Sequence, residues 1–116
     1  MHDRPEPLHP EHLTWAALLG RWVEFARQSV GLPRDEVGQL MRDSVPDVIM
    51  LQAIWFALQQ VDELSPAERA LGLDRAEVLF DKHAAAMRRR WAGHVMPEEL
   101  MQLIEDARQQ LAHVRG

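Results

Sequence analysis

An all-α fold is what this sequence predicts: an antiparallel helical bundle of four principal helices plus two short ones, with the 45–64 helix central. Three observations carry the prediction. The segment Val45 to Leu64 is apolar around nearly its whole circumference. Three other stretches repeat apolar residues every three or four positions, the period of one helix face. Strand signals are missing, since β-branched residues are scattered and no Asn-Gly or Asp-Gly pair offers a hairpin turn.

Composition bounds the rest. A chain of 116 residues, 47% apolar and 27% charged, has the size and balance of a single globular domain. Its lack of cysteine excludes disulfides, thiolate metal sites and cysteine nucleophiles together. The beginning, Met1-His2-Asp3-Arg4-Pro5, has no apolar run of the kind a secretory leader carries, and a cytoplasmic protein is expected. The apolar run from Val48 to Val61 contains Gln52, Gln59 and Gln60 and falls short of the ~20 residues of a membrane span, so no membrane association is expected. A formal net charge of -5 opposes general attraction to nucleic acid.

Residues 1–13, with Pro5, Pro7 and Pro10, are expected to form an extended arm, and 14–116 a single bundle domain. His9 and His12 in that arm lack a nearby third ligand, so a solvated arm is expected there rather than a metal site. Thr14 caps the first helix, which runs to about Val30, and Leu13 with Leu18 fits a hydrophobic staple. Its inner face carries Trp15, Leu18, Leu19, Trp22, Phe25 and Ala26, an aromatic stripe best explained as core filling. Gly31 and Pro33 end it. A short helix is expected from Pro33 to Asp43, with Val37, Leu40 and Met41 inward.

Ser44 or Val45 then caps the central helix, with Pro46 in its first turn. Its main face is Met50, Leu51, Ala53, Ile54, Ala57, Leu58, Val61 and Leu64. Ser65-Pro66-Ala67-Glu68 reads as a capping box opening a short helix stopped at Gly72. Asp74-Arg75-Ala76-Glu77 opens another, with Leu73 and Val78 as staple. That long helix buries Ala76, Phe80, Ala84, Met87 and Trp91 and ends at Gly93. Pro97, Glu98 and Glu99 start the last helix, whose stripe is Leu100, Ile104, Ala107, Leu111 and Val114.

Chemistry is sparse on this frame. A di-metal carboxylate bundle needs Glu-x-x-His on two helices, and none occurs, so no metal and no cofactor are expected. Ser29, Ser44 and Ser65 sit at expected helix boundaries, away from any triad pattern, and no Gly-rich phosphate loop is present. His83 projects to the inward side of its helix and is expected to hydrogen-bond a carbonyl or an Asp. Arg88, Arg89 and Arg90 point in three directions and do not make one phosphate-tracking face.

Arg89-Arg90-Trp91-Ala92-Gly93-His94 fits Arg-x4-His, and in a small helical protein this resembles the HEPN ribonucleases, named for higher eukaryote and prokaryote nucleotide binding. The resemblance implies that Arg89 and His94 meet at a dimer interface and cleave RNA. Arg90 follows the Arg where that family usually has a small polar residue. The same spacing recurs at Arg4 to His9 and Arg108 to His113.

The central segment leads elsewhere. Val48 with Trp55, and Ile49 with Phe56, lie outside its main face, where a surface helix carries charge. This surplus predicts a homodimer with Val48, Ile49, Trp55 and Phe56 at the shared surface. The leading expectation is a non-enzymatic, self-associating interaction or structural module; the alternative is a HEPN-like ribonuclease or nucleic-acid-binding regulator using Arg89 and His94.

Overall fold

The computed structural model describes residues 13–29 and 36–116, with the side chains at 26–29 and 36–38 also outside the description. The arm at 1–12, the connection around Gly31 and Pro33, and the expected core positions Ala26 and Val37 therefore lie outside the described residues. Four α-helices are present there: α1 (Trp15–Ser29), α2 (Glu36–Leu58), α3 (Pro66–Arg90) and α4 (Glu98–Arg115). A single 3-10 turn, Val61–Glu63, joins α2 to α3. No strand occurs among the described residues, and the all-α expectation holds.

The helix α1 starts as its sequence asks, with the Thr14 hydroxyl accepting from the Ala17 amide at 3.1 Å. Trp15, Leu18 and Trp22 are buried along one side. α2 packs against α1, α3 and α4, which makes it the centre of the fold. Leu51, Ala53, Ile54, Ala57 and Leu58, all on its expected face, have at most 1% of their surface exposed.

Three features differ from expectation. The short helix before Ser44 and the central helix are one continuous element, with Pro46 in its interior. Ser44 and Pro46 resemble start signals, yet Ser44 is fully buried and its hydroxyl donates to the Leu40 carbonyl at 2.8 Å, bonding back along a helix already under way. Pro46 and Arg42 are on the exposed side, so water can reach the carbonyl that proline leaves without its usual amide partner. At its other end α2 stops at Leu58, and Val61 and Leu64 reach the core from the 3-10 turn and the link after it.

The second difference is at Gly72, which is not a helix stop. The expected short helix and the long one after it are the single helix α3. Gly72 lies buried within it, and a Cβ there would sit 2.9 Å from the ring of Trp15. The glycine allows α1 to approach closely. It follows that Leu73 and Val78 do not staple a helix start: Leu73 is in the core, and Val78 is 67% exposed.

The third concerns the capping box. Ser65 accepts from the Glu68 amide at 3.2 Å, as expected. The Glu68 carboxylate, however, accepts from the backbone amide of Trp15 at 3.1 Å. It thereby satisfies the N-terminus of α1 and ties two helix starts together. Gly93 ends the α3 region with φ at 81°, a left-handed value that favours glycine.

Successive helices run antiparallel. Trp22 and Phe25 meet Gln60 and Phe56 in reverse order, Asp47 and Ser44 meet His83 and Trp91, and Arg69 meets the Val114 carbonyl while Arg115 reaches Asp74 and Glu77. The expected core of α3 and α4 is buried at Ala76, Phe80, Ala84, Met87, Trp91, Leu100, Ile104, Ala107 and Leu111.

Candidate functional site

Polar side chains gather at one place in the interior, where the first half of α2 faces the last turns of α3. Ser44 and Asp47 are the only buried polar residues among those described, 0% and 5% exposed. One Asp47 carboxylate oxygen lies 2.7 Å from His83 Nδ1, and the other accepts from the Arg90 guanidinium at 2.6 Å. The Ser44 hydroxyl accepts from the Trp91 indole N–H at 3.0 Å and from Arg90 at 3.4 Å. Every member has a partner on the facing helix or its end.

The expected Asp partner of His83 is therefore Asp47. Arg90, one of three successive arginines expected to point in three directions, is the one that turns inward. That role was not legible because its partner lies 43 positions away in sequence. Chemically the group resembles a dyad of carboxylate and imidazole, but Ser44 bonds Leu40, Trp91 and Arg90 and has no bond to His83. No nucleophile stands in line with the base. The geometry is that of a registry device fixing α2 against α3.

Arg89 and His94 are both exposed, Arg89 in the last turn of α3 and His94 in the following turn, its backbone N–H donating to the Trp91 carbonyl at 2.8 Å. Gly93 and its left-handed backbone separate them, so His94 does not continue the helical register of Arg89. Among the described residues no cluster of three or more His, Asp or Glu could hold a metal, and no helix is long and apolar enough to cross a membrane.

Of the four expected interface residues, Ile49 is in the core, while Val48, Trp55 and Phe56 are half-buried. Phe56 stacks on Trp22, with ring centroids 4.6 Å apart, and meets Trp55 edge to face at 4.8 Å. Phe56 is thus partly covered by α1 of the same chain.

Apolar surface also emerges on α3. Its outward stripe reads Leu71, Arg75, Val78, Lys82, Ala85 and Arg89, steps of four and three that keep one side of the helix. Leu71, Val78 and Ala85 recur at seven-residue intervals, and so do Arg75, Lys82 and Arg89. Leu71 and Val78 are 39% and 67% exposed. Asp74 and Asp81 form a column on the flank opposite the basic one. Toward α1, Trp15, Leu19, Val78 and Leu79 line an almost wholly apolar groove of about 430 Å³, with Asp74 and Arg75 at its margin.

No family model matches the chain, and neither a curated protein nor a solved structure matches it.

Proposed function

We propose that this protein is a non-enzymatic helical module that associates with a second copy of itself through the outer face of α3. The observation that carries this reading is the outward ridge of exposed Leu71 and Val78 and half-buried Ala85, with a basic column on one flank and an acidic column on the other. A large apolar residue two-thirds exposed beside an apolar groove costs solvation that a partner removes, about 25 cal/mol per Å² covered.

The charge columns select the partner and its direction. A two-fold axis along α3 exchanges left and right, setting Asp81 of one copy against Lys82 of the other, and likewise Asp74 against Arg75. An antiparallel pairing would set acid against acid. Within one chain Asp81 and Lys82 are adjacent and do not face each other. The parallel homodimer is thus complementary to itself, and α2 contributes to it as the support of α1 and α3.

Light scattering at micromolar concentration and low salt is expected to give twice the chain mass. Lys82→Glu and Asp81→Lys are each expected to weaken association about tenfold, and the double swap to restore it. A monomeric mass throughout, or a double swap no better than the singles, would sink the proposal. The ribonuclease alternative makes the opposite demand, RNA cleavage abolished by His94→Ala; the module reading expects no cleavage from either protein.

A further inference from the structure

The groove between α1 and α3 has an unmatched cation at its margin. Arg75 is exposed and makes no hydrogen bond or ion pair among the described residues. Three and four positions away on its own helix stand Leu71, Gly72, Val78 and Leu79, so no acid of α3 meets it at helical spacing. Asp74, the other charged residue at the groove, is already held by Arg115 at 2.9 Å. The remaining walls are Trp15, Leu19, Val78 and Leu79, and the volume of about 430 Å³ is that of a small-molecule site.

Together these features specify the chemistry of an occupant. An apolar trough with one unmatched guanidinium at its edge suits a molecule with an apolar body and a single anionic head. A guanidinium takes a carboxylate through two parallel N–H bonds. One such group matches a monocarboxylate in charge, whereas a phosphate dianion is left half-neutralised. Lys82, seven residues beyond Arg75 on the same flank, adds to the positive potential there. The trough is narrow because Trp15 meets Gly72, and Leu19 lines it with Leu79, as the two helices run side by side. Each wall extends about one turn, ~6 Å of rise, which suits a short unbranched chain.

We infer that this groove binds a short unbranched monocarboxylate, its alkyl chain against Leu19, Val78 and Leu79 and its carboxylate on Arg75. Binding and self-association compete, because in the dimer proposed above Arg75 faces Asp74 of the second copy. The probe is sodium octanoate, followed through the methyl resonances of Leu19, Val78 and Leu79, with octylammonium chloride as the counterpart of opposite charge. The expected result is a saturable shift at millimolar concentration, about threefold to tenfold weaker for hexanoate, for octylammonium, and for octanoate with Arg75→Gln. Arg75 is exposed, so its substitution leaves the fold intact, and matched circular dichroism checks this. The Asp81→Lys chain, weakened in pairing, is expected to bind octanoate undiminished, which separates the groove from the dimer. Absence of a saturable shift, an equal response to octylammonium, indifference to Arg75→Gln, or loss of binding in the Asp81→Lys chain would overturn the assignment.

Discussion

At the scale of single residues, the interior is specified by contacts that tolerate little change. Gly72→Ala pushes a methyl to 2.9 Å from the rigid Trp15 ring, and the expected cost is about 1–3 kcal/mol, read from urea unfolding. Ser44→Ala leaves the Trp91 indole N–H buried without an acceptor, which is expected to destabilise by about 1–3 kcal/mol. Asp47→Ala is more severe, because it strips a carboxylate from both His83 and Arg90. The side chains of these two are 14% and 27% exposed, so water offsets part of the loss, and about 2–4 kcal/mol is expected in the same assay. An Asp47→Ala protein as stable as the parent would show that the network contributes nothing to the register of α2 on α3.

At the scale of elements, α2 carries a proline that its length does not require. Pro46→Ala restores an amide to the helix ladder on the exposed side, and the melting temperature is expected to rise, by an amount reduced through the added freedom of the unfolded chain. A lower melting temperature would mean that Pro46 shapes the packing of Ser44 and Asp47. On α4, the hydrogen bond from Arg108 holds the Glu105 carboxyl below its ordinary range, helped by Gln109. Its pKa is lower folded than unfolded, so the stabilisation is present above the ordinary carboxylate value and is lost as pH falls through the depressed folded value. Glu105→Gln is therefore expected to unfold slightly more easily at neutral pH, with the difference closing in acid, as successive denaturation curves would show. Asp74, through its hydrogen bond to Arg115, raises that guanidinium further and binds the end of α4 to α3.

At the scale of the whole molecule, the arrangement of the helices separates an inner set of duties from an outer one. α2 supplies the centre against which α1, α3 and α4 pack. In the dimer we propose, α3 offers its outer ridge to a second copy. Raising salt from low to molar concentration is expected to weaken the dimer less than complete loss of the charge pairs would, since screening reaches Asp81 and Lys82 but not the apolar contact of Val78. Val78→Glu is expected to leave the monomer folded, because the position is exposed, and to abolish association in light scattering.

Periodicity alone identified the helices and most of their buried faces: Leu51, Ile54 and Leu58, or Phe80, Ala84 and Met87, each follow from spacing along one segment. That success has a local cause, since which side of a helix is apolar is written within a few turns of its own sequence. Continuity through Pro46 and Gly72 was decided by packing. Trp15 needs a bare backbone opposite it, and Ser44 needs Trp91. The same holds for Arg90, whose direction depends on Asp47, and for Glu68, which serves a helix 53 positions away. Partners so distant meet only when the chain has folded, and the boundary signals they override are identical, residue for residue, to those of true helix ends.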